Sequence, residues 1–224
     1  MSEPIARSPI APPPPVTVVD GWEVSGRRAE SGLTLTDCTP LAKVQARAPA
    51  GGAAAAALGV PFGRGARDQA GVLVVGSGPG EWLLIGPPGQ GPALVSRVNT
   101  LAAGAAGELV TSADLTHGRA LIRLNGSRAA DVLAAVCGID LSDEITPNGA
   151  AFRTSVAALA TDVIRDDIGG VRSYLLHCER SSGQYLFSEL LSAGRDFDVE
   201  IDGFRAQGAL HPWESEESEH DIPK

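Results

Sequence analysis

The chain has 224 residues, 43% of them hydrophobic, enough for one substantial domain or two small intertwined ones. Its 27 acidic residues outnumber the 18 basic ones, for a formal net charge of −9. That balance argues against nucleic acid or an anionic membrane as a partner, since both need a basic face.

Residues 1–20 read as a disordered, Pro-rich leader, with six prolines among the first fifteen positions. The next segment, residues 33–60, holds a strand ending at Asp37, a Thr two positions on (Thr39), a second strand, and an Ala-rich helix stopping near Gly59. Residues 71–91, GVLVVGSGPGEWLLIGPPGQG, look at first like a dinucleotide loop. The third fingerprint position is Glu81, which would crowd the helix–strand packing and set negative charge beside a pyrophosphate. The run Trp82–Ile85 is also stopped by Gly86, Pro87 and Pro88, so no crossover helix opens there. Two short apolar runs around a Gly/Pro loop predict a β-hairpin instead.

A helix follows over residues 91–104. Residues 109–139 then repeat the earlier pattern: a strand to Asp114, Thr116, an alternating strand RALIRL, and a helix that Ser127 would cap, stopping near Gly138. Residues 171–178, VRSYLLHC, are apolar on both faces, as in a central strand. A last helix carries Leu186, Leu190 and Ala193 on one stripe, and Gly104 and Gly194 stand where C′ glycines are expected. An offset of roughly 77 to 92 residues between the copies suggests internal duplication. The fold class expected is α+β: two intertwined ferredoxin-like halves, antiparallel sheets with helices on one face, over 21–106 and 107–205. Residues 206–224 read as an acidic disordered tail.

Little in the chain points to chemistry. Cys38, Cys137 and Cys178 are odd in number without CxxC spacing, which fits reduced thiols and gives no zinc site. The four histidines are dispersed; His177 reads as a hydrogen-bonded core residue and His117 as a turn residue. Cys137 lies on an apolar helix stripe and reads as buried and inert. Asp143-Glu144 and Asp166-Asp167 read as solvated loop pairs. The repeated Asp-x-Thr reads as an Asx or Thr turn that fixes the following strand. The N-terminus lacks a signal-peptide core and no stretch reaches about 18 apolar residues, so a cytoplasmic, soluble chain is expected.

One resemblance organises these observations. The strings LTDCTPLAKVQAR, GEWLLIGP, DLTHGRALIRLNGSRAADVLAAVCGIDL, FRTSVAALATDVIRDD and SYLLHCERSSGQYLFSELLSAG resemble, in order over residues 33–197, the gamma subunit of heterotetrameric sarcosine oxidases. That family is related to the folate-binding aminomethyltransferase group. The chain departs from it at Gly80, where an Asp is common, and at Phe187, where a Trp is.

The resemblance implies an accessory, non-catalytic subunit of a complex that oxidatively demethylates sarcosine and passes the one-carbon unit to tetrahydrofolate. Its partners would be the other subunits, chiefly the large flavoprotein. FAD, FMN, NAD, zinc and tetrahydrofolate would be carried by those partners, and none by this chain. The alternative is a stand-alone folate-binding transferase or folate sensor, in which a buried carboxylate and an aromatic would hold the pterin. The carboxylate candidates for that reading are Asp114 and Asp140. No catalytic or metal residue is nominated.

Overall fold

A computed structural model describes residues 4–205. The first half of the chain supplies β1 (Ala6–Arg7), β2 (Val16–Val19), β3 (Trp22–Ser25), β4 (Thr34–Asp37), β5 (Ala42–Arg47), α1 (Ala53–Leu58), β6 (Gly65–Arg67), β7 (Leu73–Gly78), β8 (Glu81–Gly86) and α2 (Gly91–Gly104). The second supplies β9 (Thr111–Asp114), β10 (Arg119–Asn125), α3 (Ala129–Ala134), β11 (Ala151–Val156), β12 (Leu159–Arg165), β13 (Ser173–Glu179), α4 (Gly183–Ala193) and β14 (Glu200–Asp202).

Of these strands β1, β3 and β2 form a small three-stranded sheet in that order, while the other eleven form a six-stranded sheet in the order β11-β12-β13-β10-β4-β14 and a five-stranded sheet in the order β6-β7-β8-β5-β9. Every pairing in the two sheets is antiparallel except β14 with β4. The class is therefore α+β with antiparallel sheets. The inner faces of the two sheets pack on each other through Leu73, Val75, Leu83 and Ile85 against Leu121, Ile164 and Leu175. On the outer faces, α1 and α2 cover the five-stranded sheet, and α3 and α4 cover the six-stranded one. The result is four layers, helix–sheet–sheet–helix, each interface filled by alternate residues of the same strands.

The boundary expected at residue 106 does not separate the sheets. β4, from the first half, sits between β10 and β14 of the six-stranded sheet, and β9, from the second half, pairs with β5 at the edge of the five-stranded one.

The stretch at 71–86 is a hairpin, β7 with β8, carrying a bulge between Gly76 and Gly78. Its glycines are needed for close backbone approach. A Cβ on Gly76 would stand 2.2 Å from the Pro61 carbonyl oxygen, and one on Gly80 (φ +73) 2.5 Å from that of Ala48. β13 is the central strand its composition suggests: it pairs on both sides, and Ser173–Cys178 are all buried.

Three expectations need correction. Over residues 4–20 the leader is ordered and packed. A polyproline-like segment makes no internal hydrogen bonds, so its backbone is free to bond elsewhere. The Ser25 hydroxyl donates to Pro13 O, Arg27 Nε donates to Pro14 O, and Ala11 N donates to Gln184 Oε1. Ile10, 1% exposed, is buried against the six-stranded sheet and its helices. Ser127 does not cap α3, which begins after Arg128 without a side-chain cap. Of the helix-terminal glycines, Gly59 is left-handed (φ +69), whereas Gly104 is the last residue of α2 and Gly194 is right-handed (φ −82). The acidic stretch 206–224 lies outside the described residues. Among those described, no helix is long and apolar enough to cross a membrane.

Candidate functional site

The two Asp-x-Thr segments meet where the strands exchange. Asp37 Oδ1 accepts the Thr39 amide at 2.9 Å, and Asp114 Oδ1 accepts the Thr116 amide at 2.8 Å, the turns expected from the sequence. Each threonine then serves the opposite half. Thr39 Oγ1 accepts the amide of Leu121 on β10, and Thr116 Oγ1 accepts that of Lys43 on β5. Leu121 and Lys43 thus hold corresponding positions, and Lys43 is wholly buried, its ammonium donating to Thr39 O and Leu41 O at 2.7 Å each. Burial pulls its pKa down to about 7, against the pull of Asp37, Cys38 and Asp114. Burial also raises Asp37, opposed by hydrogen bonds from Ser8 and Thr39, and pushes the Cys38 thiol up to about 11. A thiol so placed is not a nucleophile at neutral pH.

The structure places Asp114 and Asp140 apart and both at the surface. Asp114 ends an edge strand beside Gly91 at the start of α2. Asp140 lies in the loop after α3, where the Ser142 amide bonds its carboxylate and keeps its pKa low. Each is engaged by the backbone of its own turn, and no described contact joins them.

A better buried carboxylate was missed. Asp162 on β12 stands directly across from His177 on β13. Its carboxylate accepts from Arg153 Nε at 2.6 Å and Nη2 at 3.2 Å, and lies 3.0 Å from His177 Nδ1. Burial alone would raise Asp162; the hydrogen bonds from His177 and Arg153 win and hold it at about 2. His177, 4% exposed, is pushed below the ordinary histidine range by burial, against the pull of Asp162. The sequence signal was a lone acid in the apolar run Leu159–Arg165. Asp162 also lines a small cavity with Phe152 and Ser77, an aromatic beside a carboxylate, but its volume is about 10 Å3.

The densest charge cluster is a ladder of arginines on the loop ends. Asp166 Oδ2 accepts from Arg67 at 2.6 Å and from Arg123 at 2.8 Å, and Arg123 also donates to Ser173 Oγ and Asp166 O. Arg165 grips Asp167 with two nitrogens and reaches Asp143, which Arg172 shares. Asp166 and Asp167 are therefore not solvated, because three arginines, Arg67, Arg123 and Arg165, take them up. Cavities of about 260 and 290 Å3 flank this ladder, both touching Ile168. Trp22, buried, stacks on His117 at 4.9 Å, which gives that turn histidine its place. Among the described residues, no group of three or more His, Cys, Asp or Glu is placed to hold a metal.

The family model for the GCVT N-terminal domain matches residues 82–212, more than half of the chain. The chain belongs to that family. As a GCVT-domain chain it is similar to a chain of the heterotetrameric sarcosine oxidase from Corynebacterium sp. U-96, with 26% identity and a TM-score of 0.64. The match covers 77% of this chain and 89% of that one. It is also similar to the glycine cleavage system aminomethyltransferase T from Bartonella henselae, at 17% identity and a TM-score of 0.64. There it covers 87% of this chain and 57% of the other, so this chain spans little more than half of that protein, and the likeness is one of fold. No curated protein matches the chain significantly.

Proposed function

We propose that this GCVT-domain chain is an accessory, non-catalytic gamma-type subunit of a cytoplasmic sarcosine oxidase-type flavoprotein complex. Its partners are the other subunits of a heterotetramer, chiefly the large flavoprotein. The flavins, NAD, zinc and tetrahydrofolate belong to those partners. The complex demethylates sarcosine oxidatively and hands the one-carbon unit to tetrahydrofolate.

The observation that carries this reading is the state of Asp162. The acid best placed to hold a ligand is already filled by Arg153 and His177, and the space beside it holds at most one water. The coverage of the sarcosine oxidase match supports it too, since 77% of one chain on 89% of the other makes the two similar in length. The reciprocal Asp-x-Thr turns support a body of two ferredoxin-like halves derived by duplication. Co-expression with the large flavoprotein and the remaining subunits, followed by size-exclusion chromatography, tests the assignment. Coelution with the oxidase is expected. An oxidase that assembles fully while this chain runs alone overturns it.

Family membership favours a second reading, a stand-alone folate-binding transferase or sensor. The residues fit it poorly: Asp114 and Asp140 are engaged at the surface, and the Asp162–Phe152 cavity is far too small for a pterin. A rise in melting temperature at saturating tetrahydrofolate would restore that reading.

A further inference from the structure

The six-stranded sheet carries a polar surface that the proposed assembly role does not use. On β10, β4 and β14, one face holds Leu35, Ile122, Leu124 and Ile201 in the helix-side core. The opposite face carries two polar rows set by the strand register, Arg123 with Thr36 and Asp202, and Asn125 with Thr34 and Glu200. The cavity of about 290 Å3 opens on this face, with Thr34, Thr36 and Asn125 in its floor and Ile168 and Phe204 in its walls.

The face has no call for an ion. Arg67 and Arg123 meet Asp166, Arg205 meets Asp202, and Glu200 accepts the amides of Glu30 and Ser31, so that these cations and anions cancel. What the cavity lacks is a donor. Asn125 Oδ1, an acceptor, is buried with no hydrogen-bond partner, and buried polar atoms of this kind are paired in folded proteins. The half-buried Thr34 and Thr36 hydroxyls are also unpaired among the described residues. A neutral group with an N–H at one end and an apolar body matches the acceptor and the Ile168 and Phe204 walls.

The chain itself leads such a group to the cavity. Residues 203–205 line it, with Phe204 buried and the Gly203 amide donating to Arg27 O, so the described backbone stops at its mouth. The GCVT family match continues to residue 212, seven positions past Arg205. Residues 206–213, AQGALHPW, contain no Asp, Glu, Lys or Arg, unlike the acidic run that starts at Glu214. Eight residues reach at most about 28 Å, ample for a return to a cavity at the exit point. Among their side chains Trp213 joins an N–H donor to a large apolar ring. We propose that residues 206–213 fold back over this face and seat the Trp213 indole in the cavity, with Nε1–H donating to Asn125 Oδ1 and the ring against Phe204 and Ile168. The contact is made within one chain, and it stands whether or not that chain assembles with an oxidase.

Tryptophan fluorescence of the full chain is the test, since Trp22 and Trp82 are buried and Trp82 Nε1 already donates to Val60 O. The Trp213 signal is the difference between the full chain and its Trp213→Phe variant, and a free peptide of residues 206–224 gives the solvated reference. Blue-shifted emission and acrylamide quenching several-fold below that of the peptide are expected, at every protein concentration. Asn125→Ala, which removes the acceptor, and Thr36→Phe, which fills the cavity, should each raise Trp213 quenching toward the peptide value. Quenching equal to the peptide's in the full chain overturns the proposal, whether or not the two cavity variants fold. Shielding that survives both variants puts the indole elsewhere and overturns it as well. Shielding lost on dilution gives the cavity to a second copy's segment, and shielding gained only with oxidase subunits gives it to a partner; either result refutes the contact within one chain.

Discussion

The amide of Lys43 donates to the hydroxyl of Thr116 at 3.0 Å, across 73 residues of sequence. Its counterpart runs from the Leu121 amide to Thr39, across 82 residues, at 3.2 Å. Both bonds are buried, and each ties a strand of one sheet to the turn by which the chain leaves that sheet for the other. Thr116→Val keeps the side-chain shape and leaves the Lys43 amide without an acceptor. A loss of about 1–3 kcal/mol is expected, read as a lower urea midpoint with an unchanged slope. An unaltered midpoint would mean that the turn is held by Asp114 alone.

Lys43 itself sets a pH dependence. Folded, it releases its proton near 7, whereas the unfolded lysine keeps its proton to about 10.5. Between those values the unfolded chain carries the extra proton, so stability rises with pH. The slope should approach about 1.4 kcal/mol per pH unit above neutrality. Lys43→Leu, which installs the residue type found at the corresponding position 121, should be flat over pH 7 to about 8.5, before thiols titrate. Parallel urea-derived slopes for the two proteins would sink this account.

Acid should act through β12 and β13. The Asp162 carboxyl, held at about 2 against an ordinary 3.8, contributes stability above 3.8 that is lost as pH falls through 2. Buried His177 resists the proton that an unfolded histidine takes near 6.5, so stability already falls below that pH. Asp162→Asn is expected to flatten the acid limb between 4 and 2 and to cost about 1–3 kcal/mol at neutral pH. Circular dichroism melts across the range measure both. A variant with the wild-type acid limb would show that the loss originates elsewhere.

The hairpin glycines give a sharp contrast. Gly76→Ala drives a Cβ into the Pro61 backbone at 2.2 Å, where no flexible atom can yield. It should cost about 1–3 kcal/mol or more. Gly32→Ala, with nothing within 4 Å, should change the melting temperature little. Equal shifts would refute the close-approach role of Gly76.

What could be read from the sequence was local. The hairpin, the Asp-x-Thr turns, the buried strand at Ser173–Cys178 and the burial of Cys137 each follow from the residues within one or two elements. The partners of those elements did not. β4 and β9 carry the expected pattern, yet strand periodicity says nothing about which sheet a strand joins. The prolines of the leader indicated a lack of internal hydrogen bonds, but not that Ser25, Arg27 and Gln184 would bond its backbone instead. Asp166-Asp167 looked solvated because two of its three arginines, Arg67 and Arg123, are remote in sequence. Asp162 escaped notice for the same reason, since its meaning depends on the strand that faces it.

The exchanged strand has a consequence for how the protein is made. A nascent chain that has emerged as far as Gly104 holds Thr34–Asp37 with neither neighbour present. One neighbour, β10, emerges with Arg119–Asn125, and the other, β14, only with Glu200–Asp202. The six-stranded sheet therefore closes only once Glu200–Asp202 has emerged, when contacts of large sequence separation form together. Excising either half at residue 106 yields fragments with mismatched edges, so the protein stands or falls as one cooperative unit.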